Sequence, residues 1–315
     1  MNILFASQEN AWGGVLGMIR SELPGHHFEA SGRFGVDTLR GFDVLIPTMC
    51  KVTEELLKKG DRLRLIQQCG SGLEGVDIKA AEGMGIWVAN VPTDISGNAD
   101  SVAELGIYLM IGLSRNVKGM NHSLVQRKMG EPQGMALKGR KVGIVGLGGI
   151  GRSLARRLAP FDVHMIGIKR REPDPALKEL GLEWVGGPEK LPDLLAESDY
   201  VVLCLPHTPE TNLLMDRQAF ACMKEGAFLI NLSRGGLVDR DALEEALFSG
   251  QIGGAGLDVF WEEPPDPKDP IFGYNVLATP HVAGSTDRSM EGIAKVVAEN
   301  IRRLERNERP LYMKD

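Results

Sequence analysis

Three short segments of this 315-residue chain end in side chains able to move a proton or hold a small anion. They read Asn231-Leu232-Ser233-Arg234-Gly235-Gly236, Leu257-Asp258-Val259-Phe260-Trp261-Glu262-Glu263-Pro264 and Thr279-Pro280-His281-Val282-Ala283-Gly284. An arginine presents a planar fork that fits a carboxylate and polarises a carbonyl beside it. A histidine, with an unperturbed pKa of about 6.5, gives or takes a proton near neutrality. A glutamate hydrogen-bonded to that histidine favours the imidazolium and fixes the ring. Arg234, His281 and Glu263 are therefore the expected catalytic set, for protonating a carbonyl oxygen that lies next to a carboxylate. Taken singly they have plainer readings: a surface charge, a core histidine, a cap on the turn before Pro264. Their order behind a nucleotide-type loop is what makes the set informative.

That loop is Gly146-Leu147-Gly148-Gly149-Ile150-Gly151. An apolar run, 141–145, precedes it, and an amphipathic stretch with Ile150, Leu154 and Leu158 on one face follows. This context separates a GxGxxG from an unrelated glycine-rich turn. Gly146 permits the tight turn, Gly148 lets the backbone approach a pyrophosphate, and Gly151 lets the helix pack on its strand. Gly149 and Ile150 open the helix, whose N–H groups and positive dipole end face the anion. The next apolar run, 163–168, leads into Lys169-Arg170-Arg171. A site for NAD usually carries an acid there, on the ribose 2′-OH. Three cations favour a 2′-phosphate instead, so the expected cofactor is NADP, with NAD as the alternative. The plainer reading of such a charge run is a solvated turn.

For these groups to meet, the strands bearing them must end at one edge of a sheet. In a doubly wound parallel sheet all carboxyl ends face one crevice. Short apolar runs alternating with amphipathic stretches argue for that architecture. Early strands are expected at 2–6, 43–47, 63–67 and 86–90, with helices at 53–59 and 77–83. Later strands are expected at 141–145, 163–168, 200–205, 227–232, 255–259 and 276–278, six in all, the count of a full dinucleotide-binding domain. Ser101 and Glu104 have capping-box spacing and open a helix running through Leu113, apolar nearly all round and so buried on most faces. Such a helix suits an interdomain core or a subunit interface. Residues 117–137 read as a long loop, and 288–306 as a last helix that crosses back to the N-terminal part.

Composition bounds the partners. Lys+Arg total 36 against 42 Asp+Glu, a net charge of -6, which disfavours nucleic acid and anionic membranes. Hydrophobic residues at 43% and charged residues at 25% exclude wholesale disorder. The four cysteines, Cys50, Cys69, Cys204 and Cys222, form no CxxC pair, so neither a disulfide framework nor a metal site is expected. The first residues show no signal peptide, and the apolar run 105–113 falls short of the roughly 20 residues that span a bilayer. The expectation is a reduced, cytoplasmic protein.

The order GxGxxG, NLSRGG, LDVFxxEPP, TPHVAG resembles the D-isomer-specific 2-hydroxyacid dehydrogenases over nearly the whole chain. Gly70-Ser71-Gly72-Leu73-Glu74-Gly75-Val76-Asp77 is similar to that family's substrate-side loop, and 98–104 to its interdomain helix start. The resemblance assigns the roles above to Arg234, Glu263 and His281. It implies that Asp258 accepts from the nicotinamide carboxamide, and that Leu205, Pro206 and Thr211 lie along the nucleotide. It further implies that Leu232, Ser233, His281, Ala283 and Gly284 line the nicotinamide, and that the amides of Ser71 and Gly72 bind the substrate carboxylate with Arg234. Glu74-Gly75 stands where the family often has Asp-Asn, and 92–101 is longer than in many relatives. A glutamine at 263 would mark a formate dehydrogenase; Glu263 does not.

The implied fold is α/β: two doubly wound parallel-sheet domains with a cleft that closes by a hinge. One is a flavodoxin-like substrate domain from 1–100 and 286–315, the other a Rossmann domain over 101–285. The expected function is NADPH-preferring reduction of a small 2-keto acid such as glyoxylate or hydroxypyruvate, by a homodimer. NAD-linked D-3-phosphoglycerate dehydrogenase is the enzymatic alternative, although Lys51 is nearly the only extra cation in the N-terminal loops, and no appended regulatory domain is expected behind His281. An NAD(H)-sensing corepressor is the alternative from another class, disfavoured by the lack of evident disordered tails.

Overall fold

The structure, a computed structural model, describes residues 1–171 and 180–314. The chain divides into two compact units, Met1–Asn98 with Gly284–Asp315, and Ala99–Ala283.

The first unit holds five parallel strands, β1 (Asn2–Phe5), β2 (His27–Ala30), β3 (Val44–Ile46), β4 (Leu65–Gln67) and β5 (Trp87–Ala89), ordered β2-β1-β3-β4-β5. Except for β2, these strands are almost wholly apolar and buried on both faces, as a sheet covered by helices requires. The order is the flavodoxin-like one. The helix Asp287–Glu305 packs Met290, Ile293, Val297, Ile301 and Leu304 against Ile3, Phe5, Leu16 and Ile19, so the C-terminal helix completes the N-terminal core. Thr286 caps it through Ser289 N–H.

Among the described residues the second unit holds seven parallel strands, β6 (Lys141–Val145), β7 (His164–Ile168), β8 (Leu182–Gly186), β9 (Tyr200–Leu203), β10 (Ala227–Asn231), β11 (Ile252–Leu257) and β12 (Val276–Ala278). Their order is β12-β11-β10-β9-β6-β7-β8. The chain reverses direction across the sheet between β6 and β9, which puts the ligand crevice outside their carboxyl ends.

Four expectations are corrected. Among the described residues the second sheet has seven strands, not six, the unexpected one being β8, and the first unit holds β2, which was not expected either. Both are edge strands with exposed polar positions, so neither forms the continuous apolar run that marked the others. The helix expected from Ser101 begins at Asn98. Its first turn is tied by Asp100, which accepts from Ser153 Oγ at 2.6 Å and pairs with Arg157 at 2.9 Å, while Glu104 also pairs with Arg157. These carboxylates went to the neighbouring helix rather than to a local capping box. The helix from Asn98 is buried on most faces, as expected, with Tyr108 and Ile111 exposed. Finally, the supposed loop contains the helix Val117–Val125, capped by Asn116 through Gly119 N–H, which its weak apolar pattern concealed. Among the described residues no helix is long and apolar enough to cross a membrane.

Candidate active site

β6 ends at Val145 and the chain turns through Gly146, whose φ of +101° suits glycine and whose Cβ would lie 2.7 Å from the Cys204 carbonyl oxygen. Gly151 is crowded further: a Cβ there would come 2.0 Å from the Gly146 carbonyl oxygen. The fold alone therefore requires these two glycines. Gly148 differs. Its φ is -80°, open to any residue, and a Cβ would meet nothing within 4 Å. It stands at the N-cap of the helix Gly149–Leu158, with Gly149 and Ile150 in the first turn. Bare backbone that neither conformation nor packing demands, at a helix N-terminus outside a sheet switch point, fits a pyrophosphate.

The strands on either side of β6 supply the flanks. Past β7, Lys169 is half-buried and its N–H continues the ladder to Gly186 O at 2.9 Å, while Arg170 and Arg171 are exposed. Among the described residues Lys169 has no ion-pair partner. Past β9 come half-buried Leu205 and exposed Pro206. The Thr211 hydroxyl donates to Pro206 O at 2.9 Å and accepts from Thr208 N–H at 2.8 Å, so it braces its own turn. Glu210 in that turn is held below the usual carboxylate range, mainly by the Thr208 hydroxyl and also by the charge of Arg170.

β10 ends in Asn231, which is buried and staples the next turn: its Oδ1 accepts from Ser233 N–H at 3.0 Å and its Nδ2 donates to Arg234 O at 2.8 Å. Ser233 Oγ donates to Leu203 O at 3.0 Å, and Leu232 is buried against Gly106. Arg234, in extended conformation and half-buried, donates from Nη1 to Ser233 O at 2.7 Å. At Gly235 a Cβ would lie 2.1 Å from the carbonyl of Phe260, so the segment after β11 rests directly on this turn.

That segment begins with Asp258, which is 1% exposed and accepts from Thr279 Oγ1 at 2.7 Å, Val282 N–H at 2.9 Å and Ala283 N–H at 3.0 Å. Burial pushes its carboxyl above the usual range, against these bonds and the charge of His281. The three bonds straddle His281, whose φ of 54° is left-handed and strained for a side chain with a Cβ. Farther along, Glu263 Oε1 accepts from Phe260 N–H at 3.0 Å and Oε2 lies 2.7 Å from His281 Nδ1. The neighbouring Glu262 is exposed. Burial alone would raise the Glu263 carboxyl, but His281, Phe260 N–H and Arg234 outweigh it and hold it below its ordinary range. An ionised Oε2 can only accept, so Nδ1 carries the proton and Nε2 is the ring nitrogen turned away from Glu263.

Arg234, Glu263 and His281 are thus brought together within the second unit, which also holds the phosphate loop, Asp258 and Ala283. Ser71, exposed, and Gly72, half-buried, lie in the first unit, as does Gly284, where a Cβ would come 2.2 Å from Asn98 Nδ2. Two residues escaped the sequence reading. Asn231 had a signal, a polar residue ending an apolar strand. Trp261, which donates from Nε1 to Val238 O at 2.6 Å and pins the Glu263 segment, had none.

Residues 107–283 match the family model described as D-isomer specific 2-hydroxyacid dehydrogenase, NAD binding domain. A D-3-phosphoglycerate dehydrogenase of Methanocaldococcus jannaschii is 34% identical over 87% of this chain and 52% of its own. The chain spans about half the length of the curated proteins of that name. A glyoxylate reductase of Thermococcus litoralis is 34% identical over 84% of this chain and 81% of its own. Among solved structures, the D-lactate dehydrogenase of Aquifex aeolicus complexed with NAD and lactic acid aligns with a TM-score of 0.84 at 26% identity, covering 98% of this chain and 96% of that one.

Proposed function

The chain belongs to the D-isomer specific 2-hydroxyacid dehydrogenase family, and from that premise we propose that it reduces a small 2-keto acid, of the size of glyoxylate or hydroxypyruvate, to the D-2-hydroxy acid. The observation that carries this reading is the 2.7 Å contact between Glu263 and His281 Nδ1, with Arg234 acting on the same carboxylate. Glu263 holds the ring and leaves Nε2 to protonate the substrate's carbonyl oxygen, and to take that proton back in the reverse direction. Arg234 takes the substrate carboxylate and polarises the adjacent carbonyl. The turn Gly146–Gly151 holds a dinucleotide pyrophosphate, and the bound nicotinamide supplies the hydride. Lys169, half-buried and uncommitted among the described residues, supports NADPH as the preferred cofactor. Arg234→Ala is expected to lose roughly 10²–10³-fold in keto-acid turnover while binding cofactor normally. Turnover at the wild-type level refutes the assignment.

The relatives named D-3-phosphoglycerate dehydrogenase support a second reading, NAD-linked oxidation of a phosphorylated hydroxy acid. It needs a further cation for the phosphate. Lys51 is the candidate, but it lines its hollow with Glu74 and Asp77, which repel that group. We also propose a homodimer, a reading that the exposed apolar side chains of Tyr108, Ile111, Leu124, Val125 and Met129 support.

A further inference from the structure

β4 and β5 run parallel with Gln67 opposite Ala89, and the segments leaving their carboxyl ends stay side by side. Gln68 N–H donates to Ala89 O at 2.8 Å and Val91 N–H to Gly70 O at 3.2 Å. One residue farther, where the β5 backbone no longer reaches, the Asn90 side chain takes over: its Nδ2 donates to Ser71 O at 2.7 Å. That close approach to a carbonyl oxygen fixes which end of the amide faces Ser71, since two oxygens would repel.

A trans peptide places its C=O and N–H on opposite sides. Gly70 O shares a peptide with Ser71 N–H, and Ser71 O shares one with Gly72 N–H. With both carbonyls turned toward Val91 and Asn90, the two amides turn away from them together. Two successive N–H groups facing one way make an anion-binding concavity. Among the described residues neither amide has an acceptor, and Ser71 is exposed. Asn90 itself is 4% exposed, and its Oδ1 finds no hydrogen-bond partner among the described residues. A buried amide with one end unmet weakens a fold. Stability therefore does not explain an asparagine here, whereas the orientation of the Ser71–Gly72 peptide does.

We propose that Asn90 is a positioning residue: by holding the Ser71 carbonyl it aims the amides of Ser71 and Gly72 at the carboxylate of the substrate. The proposal rests on the keto-acid reading above for the identity of the anion. Loss of the Nδ2 donor frees the peptide to rotate, and the carboxylate loses a contact made equally in the ground and transition states. Such a loss appears in KM and not in kcat.

The test compares wild type with Asn90→Asp, which keeps the shape but cannot donate, and with Asn90→Leu, which also removes the unmet Oδ1. Glyoxylate kinetics are expected to show KM raised roughly 10-fold or more, kcat within about 3-fold, and an unchanged cofactor dissociation constant. An unchanged KM, or kcat and thermal stability falling together in both variants, overturns the proposal. Oxalate titration of ¹⁵N-labelled protein separates its failure from that of the keto-acid reading. If wild type turns over no keto acid but oxalate shifts the Ser71 and Gly72 amides in wild type and not in Asn90→Asp, the anion nest stands without the dehydrogenase reading. If oxalate leaves both amides unmoved in wild type, the nest is overturned whatever the kinetics.

Discussion

Replacing Gly148 with alanine separates cofactor recognition from folding, because this glycine is required by neither conformation nor packing. At φ -80° and ψ -157°, with nothing within 4 Å of the added Cβ, the folded chain accommodates a methyl. Apo stability should change by less than about 0.5 kcal/mol, or rise slightly through a stiffer unfolded chain. A pyrophosphate meets the same methyl where bare backbone stood. It is held off by on the order of 1 Å and loses one charge-assisted bond of about 1.5–3 kcal/mol, a roughly 10- to 100-fold weaker dissociation constant. Gly151→Ala is the contrast. Its Cβ would sit 2.0 Å from the Gly146 carbonyl oxygen, so the whole helix must shift. The damage there falls on the fold, about 1–3 kcal/mol or more, and several degrees in Tm. Thermal unfolding without cofactor and fluorescence titration with NADPH read the two effects. Wild-type affinity in Gly148→Ala, or a Tm loss equal to that of Gly151→Ala, refutes the reasoning.

Glu263 is ionised below its ordinary range, so its contribution to stability is present above the unfolded value near pH ~4.3 and is lost as pH falls through the folded value. Glu263→Gln should be about 1–3 kcal/mol less stable at pH 7, with the gap closing on acidification in urea titrations; a gap independent of pH contradicts this. Gly235→Ala drives a Cβ to 2.1 Å from the Phe260 carbonyl and should displace the Glu263 segment, lowering turnover and Tm together. Full activity in that variant means that the contact does not hold the site. Lys169→Asp should swing the cofactor ratio toward NADH, and an unmoved ratio returns the basic run to a solvated turn.

Where burial was complete, the sequence was easy to read. The central strands β6, β9 and β10 are covered on both faces and stand out as apolar runs, whereas edge strands β2 and β8 expose one face and do not. Ser101 and Glu104 misled because a capping box is a local pattern and Arg157, far along the chain, offered Glu104 a partner. The same division runs through the site. Arg234, Glu263 and His281 were legible because short motifs carry them to the ends of adjacent strands. What holds them was not: the left-handed backbone at His281, the three bonds to Asp258 and the Trp261 anchor depend on contacts between segments, and spacing does not encode those. Asn90 is hidden for the same reason, since its partner Ser71 lies on the neighbouring strand's exit.

The most direct test of the account is oxidation of NADPH and NADH, side by side, against glyoxylate, hydroxypyruvate, pyruvate and 3-phosphohydroxypyruvate. Turnover of one of the small unphosphorylated keto acids, faster with NADPH, is the predicted result. Activity confined to NADH and 3-phosphohydroxypyruvate, or cofactor binding without turnover of any of the four, would contradict it.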